Sequence, residues 1–169
     1  NPENIQAREI LAEVFYQRGN FDHSIAEYRR ILERNSDYLP AYVQLGWIYY
    51  RKGEFQMATA WTKRGLKLGT RSPQLDSLSS MNLGLYSWLS DDYLAAKNWY
   101  RKALVGGSEI VLDGILKDLK NTSLLFPDHT EVDFFSGWVY MEAGEKKMAL
   151  PHLTKFLTLA TENELSSEA

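Results

Sequence analysis

The chain has 169 residues, 44% hydrophobic and 24% charged, with no cysteine and a formal net charge of −3. A length of this order suits one domain or a repeat array of any size. Mild acidity argues against non-specific nucleic-acid binding as the main task, and the missing thiols exclude disulfide and thiolate chemistry. No apolar run approaches the roughly 18 residues of a membrane span, so the chain is expected to be soluble, with its compartment left open.

The chain opens on Asn1-Pro2-Glu3-Asn4, with neither an initiator methionine nor a signal-peptide pattern. Pro2 sits just before the first periodic residue, Ile5, as though closing a preceding unit, and the expectation is a fragment of a longer array. Leu11, Ala12 and Phe15 then fill one face of a first helix, Gly19-Asn20-Phe21 makes a turn, and Ser24, Tyr28 and Ile31 face inward from a second helix. The clearest unit is Leu39 to Ser72. Tyr42, Leu45, Gly46 and Tyr49 share a face, Gly53-Glu54-Phe55 turns the chain, and Ala58, Thr62 and Gly65 recur at i, i+4, i+7. A glycine after the last periodic residue takes the positive φ of a helix end, and small residues let two helices approach closely. Ser36 or Asp37 offers a cap to this unit, and Pro40 is tolerated in a first turn.

Leu83, Gly84 and Ser87 come later than the period demands, so the third unit opens with about one extra helical turn of about 3.6 residues. Asp91-Asp92-Tyr93 is its turn, and Ala96, Tyr100 and Ala103 follow. After Leu104 the regularity fails: Gly106-Gly107 breaks the helix, and Ser108 can cap a new one with an apolar face of Ile110, Val111, Ile115, Leu116 and Leu119. The last unit has Ser136, Gly137 and Tyr140, a turn at Gly144, and Ala149, Leu153 and Phe156. Pro151 falls inside its second helix and is expected to bend it, and the polar stretch from Glu162 to Ala169 is expected to fray.

Aromatic-Leu-Gly-Tyr, then Gly-acid-aromatic, then spaced small residues resembles the tetratricopeptide repeat (TPR), whose period is about 34 residues. The resemblance implies an all-α, right-handed TPR superhelix, an α-α solenoid of antiparallel helix pairs, here with one irregular inserted helix. It spans 1–169 as a single array: repeats at about 5–38, 39–72 and 73–107, an inserted helical segment at 108–129, a repeat at 130–163 and a polar tail at 164–169. Pro127 falls in the inter-repeat slot, so the insertion looks like the second half of a repeat.

Nothing points to catalysis, a cofactor or a metal. His23, His129 and His152 lie in different units, with no HExxH, GxSxG or phosphate loop, and there is no cluster of His or Cys ligands. Glu9 and Glu13 are one turn apart, which fits a solvated acidic helix face far better than an acid–base pair. A basic series, Arg29-Arg30, Lys63-Arg64, Arg101-Lys102 and Lys155, recurs on the second helices. It is read as a solubilising outer face rather than a nucleic-acid stripe, given the acidic balance.

The informative set lies on the first helices, one face away from the packing residues: Glu9, Glu13 and Tyr16; Val43, Trp47 and Tyr50; Met81, Leu85 and Trp88; Phe134, Trp138 and Met141. Apolar residues on both faces of a helix mean two buried faces or one binding face. By the resemblance, these slots line the concave side and touch a bound peptide. The expected function is a non-enzymatic protein-interaction scaffold holding a peptide or protein segment with an apolar or aromatic anchor, with a basic residue opposite Glu9 and Glu13. Self-association of the array, or service as the regulatory arm of a larger protein, is the alternative. Carboxylate-clamp members of the family need Lys, Arg and Asn in these slots, so their ligand does not carry over. The three tryptophans Trp47, Trp88 and Trp138 are expected to share one partly open surface.

Overall fold

The computed structural model describes residues 4–69, 73–105, 108–127 and 129–167, with side chains through 160. Those residues form nine α-helices and no strand: α1 Ile5–Gln17, α2 Phe21–Arg34, α3 Leu39–Arg51, α4 Phe55–Lys67, α5 Pro73–Trp88, α6 Tyr93–Ala103, α7 Glu109–Leu125, α8 Val132–Glu142 and α9 Lys146–Ser167. The chain divides into two compact units, Asn1–Ala96 and Lys97–Ala169.

The expected hairpin turns at Gly19, Gly53, Asp91 and Gly144 are all present, and each of these residues has positive φ. The bonding is the same each time. The left-handed residue donates its N–H three residues back, as Gly53 does to Tyr50, and the next residue donates five back, as Glu54 does to Tyr49, both at 2.9 Å. This pair of bonds satisfies carbonyls that the helix end leaves open. Asp91 occupies that conformation at φ 58 without being glycine, which its short polar side chain allows.

Helix starts show more variety. Asn4 caps α1 through its side chain, which accepts from the Gln6 N–H at 2.9 Å. The cap of α3 is Tyr38 rather than Ser36 or Asp37, and it makes no side-chain cap bond. Ser108 stands at the cap of α7, again without a side-chain bond. As expected, α5 is longer than α3, at 16 residues against 13. Pro151 lies inside α9. That helix continues to Ser167, so helix occupies residues 162–167 of the stretch expected to fray. The break expected at Gly106-Gly107 lies outside the described residues.

In the first unit, α1 packs on α2, α2 on α3, α3 on α4 and α4 on α5. The close contact between α3 and α4 is made at two glycines. A Cβ on Gly46 would press on Thr62 Oγ1 and the Ala58 carbonyl, and one on Gly65 would lie 2.8 Å from Tyr42 Cβ. Ala12, Ser24, Tyr28, Ile31, Leu45 and Ala58 fill the interior between the pairs.

In the second unit, α7 packs on α8 and α8 on α9. One constant offset in numbering maps α2, α3 and α4 onto α7, α8 and α9. Gly46 corresponds to Gly137, Gly53 to Gly144, Ala58 to Ala149, and Ser24, Tyr28 and Ile31 to Ile115, Leu119 and Thr122, all of the last six buried. A Cβ on Gly137 would lie 2.6 Å from Leu153 Cγ, and Leu153 corresponds to Thr62. The inserted helix α7 is therefore a second helix of the repeat type, stacked on α8 as α2 is on α3.

Candidate interaction surface

On α1, the spacing of Glu9, Glu13 and Tyr16 puts them on one face, all of them partly accessible. The two carboxylates border the buried Tyr28 hydroxyl, whose pKa is raised first by burial and then by the charges of Glu13 and Glu9. Tyr38 closes the other side. Its hydroxyl is hydrogen-bonded to Glu9, and burial followed by that bond raises its pKa. Gln17 donates to Glu13.

Beyond the carboxylates comes an aromatic run. Trp47 Nε1 donates to the Tyr16 hydroxyl at 2.9 Å, and Arg51 donates to the same oxygen at 3.2 Å. The Arg51 guanidinium stands over the Tyr16 ring at 5.9 Å. Trp47 contacts Tyr50 at 4.8 Å between centroids, and Tyr50 stacks on Tyr86 of α5 at 5.7 Å. Aromatic pairs at these separations contribute beyond their buried area.

The set read from sequence therefore divides. Glu9, Glu13, Tyr16, Trp47 and Met81 keep accessible surface in the first unit. Val43, Tyr50, Leu85 and Trp88 do not, and Trp88 is 0% exposed where partial exposure was expected. The reason is geometric: successive first helices lie near enough that side chains between them become core. In the second unit, Phe134 and Trp138 are half-buried and Met141 is exposed. Lys97 stands 4.8 Å from the Phe134 ring, and Arg101 stands 5.5 Å from the Trp138 ring. Arg101 also grips Glu142 through Nε at 2.8 Å and its second guanidinium nitrogen at 3.0 Å, which holds the Glu142 carboxyl below its usual range.

Sequence reasoning missed Tyr38, Arg51 and Tyr86. Tyr38 lies in an interhelix segment and Tyr86 one position off the slot pattern, so periodicity alone does not single them out. The basic series has a structural role beyond solubility. Arg29 donates to the Tyr49 hydroxyl at 2.8 Å and covers Trp61, Arg64 covers Tyr42 and Trp61, and Lys155 pairs with Asp133. The Asp133 carboxyl is raised by burial, but hydrogen bonds from Lys155 and His152 outweigh this and hold it below its usual range. Among the described residues no group of His, Cys, Asp or Glu could hold a metal ion, and no helix is long and apolar enough to cross a membrane.

This helical fold is shared with known proteins. The tetratricopeptide repeat family matches residues 1–40 and 11–74. Residues 1–74 of the chain carry tetratricopeptide repeats. It is 28% identical over 151 residues to Tetratricopeptide repeat protein 8 of Caenorhabditis elegans, covering 77% of this chain but only 28% of that protein's length. A crystal structure of MamA protein matches with a TM-score of 0.57 at 18% identity, covering 91% of this chain and 90% of that one. A second MamA crystal structure gives 0.53 at 18% identity, covering 94% and 97%. At that identity the MamA likeness is one of fold. Tetratricopeptide repeats are protein-interaction scaffolds, generally without enzymatic activity, and proteins that carry them bind protein partners.

Proposed function

We propose that this chain holds a polypeptide segment against the first-helix face of its first unit, at Glu9, Glu13, Tyr16 and Trp47. The observation that carries the reading is the pair of carboxylates kept partly accessible beside the hydrogen-bonded Tyr16–Trp47 pair. A basic residue of the partner meets the carboxylates, and an apolar or aromatic anchor meets Trp47, since tryptophan and tyrosine commonly supply binding energy at such surfaces. Met81 extends this patch, and Phe134, Trp138 and Met141 are a separate apolar set within the second unit. Val43, Tyr50, Leu85 and Trp88 support the surface from beneath.

Affinity capture with the intact chain tests this. The Glu13→Lys and Trp47→Ala variants are each expected to lose the captured partner, weakening binding by about tenfold or more where a side chain is an anchor. Partners retained by both variants would remove this surface from consideration.

A second reading, self-association, rests on α1. Leu11 and Val14 are 42% and 40% exposed, whereas Leu45 and Ile48, one period later on α3, are 0% and 1% exposed beneath the preceding helix pair. The α1 strip thus has the shape of a covered junction without its cover. Sedimentation over a wide concentration range is expected to show association that Leu11→Arg abolishes; a monomer throughout removes this reading.

A further inference from the structure

The numbering offset that maps α2–α4 onto α7–α9 also maps Asp22, Tyr49, Lys52 and Glu54 onto Asp113, Tyr140, Ala143 and Glu145. In the first unit these residues form a filled ammonium site. Lys52 Nζ lies 2.9 Å from Asp22 Oδ1, 3.0 Å from Glu54 Oε1 and 5.9 Å from the Tyr49 ring centroid. In the second unit the aspartate, the tyrosine and the glutamate recur as the same residue types, and only the lysine is exchanged. Ala143 holds the same backbone conformation, φ −76 and ψ −5 against −80 and −7 at Lys52, so its Cβ bond sets out in the same sense.

A cleft of about 560 Å³ opens at this place between α7 and α8, lined by Asp113, Tyr140, Ala143 and Glu145 and also by Glu109, Leu112 and Met148. Three of the lining carboxylates, Glu109, Asp113 and Glu145, have no ion partner among the described residues. The fourth, Glu142, is taken by Arg101. The cleft thus keeps the acids of an ammonium site and has lost its ammonium.

We propose that this cleft receives a lysine side chain from a partner polypeptide, which supplies the charge that Lys52 supplies in the first unit. The ammonium lies between Asp113 and Glu145 and over the Tyr140 ring, and Glu109 is positioned on the rim to take a third N–H. The aliphatic stem runs along Leu112 and Met148, whose apolar surface suits a side chain that buries its methylenes and keeps its charge at polar groups. A compact ammonium fits carboxylates arranged around a point better than a planar guanidinium does. This site lies wholly in the second unit and does not depend on the α1–α3 surface.

The test uses the full chain labelled with ¹⁵N and three capped pentapeptides, acetyl-Gly-Ser-X-Ser-Gly-amide, with lysine, norleucine or arginine at X. The lysine peptide is expected to give saturable amide shifts centred on Ala143 and Glu145 at low salt, with norleucine giving none and arginine binding more weakly. Asp113→Asn is expected to weaken lysine binding by about twofold to fivefold, the size of a partly exposed ion pair. Ala143→Lys refills the cleft from within, so it is expected to abolish peptide binding while leaving the melting temperature unchanged or higher. Equal shifts from the norleucine peptide, an arginine peptide that binds as tightly, or undiminished lysine binding by a folded Ala143→Lys variant would each overturn the proposal.

Discussion

Leucine placed at Gly137 or Gly46 is expected to destabilise the chain by about 1–3 kcal/mol, the usual cost of overpacking a close contact. At Gly137 even a single Cβ would sit 2.6 Å from Leu153 Cγ and 3.2 Å from the Ala149 carbonyl. At Gly46 it would meet Thr62 Oγ1 and come within 3.2 Å of the Ala58 carbonyl. The side chains opposite could swing away, but the backbone carbonyls can move only by separating the two helices. Ala58→Leu, at a residue 0% exposed, is expected to act in the same direction from the other side of the contact. Urea unfolding followed by circular dichroism reads the effect, with Gln56→Leu on the exposed side of α4 as a control. A midpoint unmoved by Gly137→Leu or Gly46→Leu would show that the notches do not set the helix spacing.

Asp118→Asn is expected to do the opposite and stabilise the chain at neutral pH, by about 1–3 kcal/mol for a shift of this size. Burial pushes the Asp118 carboxyl up from 3.8 to about 6, opposed only weakly by Lys117. The folded protein therefore binds this proton more tightly than the unfolded chain does. Its stability falls as pH rises between the two values, and the loss is complete above about 6. The gain from asparagine should be full above that pH and fade toward pH 4. A gain of equal size at both ends of the range would show that charge is not the cause. The numbering offset explains why the carboxyl is stranded. Its counterpart Glu27 is gripped by Arg8 at 2.7 Å and by Arg30, and the residue in the place of Arg30 is Asn121.

Comparison of the two units shows how one backbone plan tolerates different chemistry. Where Tyr42 and Trp61 pack beneath Arg64, the corresponding residues Asp133, His152 and Lys155 form a polar cluster. Thr62 fills the Gly46 notch although its buried hydroxyl finds no hydrogen-bond partner among the described residues, whereas Leu153 fills the Gly137 notch with hydrocarbon. Fit at the notch governs both cases, and polarity is secondary. The same freedom lets Lys52 become Ala143 without disturbing the turn that follows.

The helices and their hairpin turns were legible in the amino-acid sequence. These depend on local chemistry: glycine or aspartate where φ must be positive, and small residues at helical spacing where two backbones come close. Helical periodicity also set the twelve first-helix residues one face away from the packing residues. What it could not decide was how far each of those residues is covered. Coverage depends on the distance between helices remote in sequence, and that distance is set by the notches and by the bulk of side chains on the neighbouring helix. Trp47 and Trp88 occupy equivalent slots, yet Trp47 keeps accessible surface and bonds to Tyr16 while Trp88 is enclosed. The partnering of the inserted helix was likewise a tertiary matter. Its apolar face was legible in Ile115 and Leu119 and its second-helix character in Pro127, but the helix it packs against, α8, was decided by the tertiary structure.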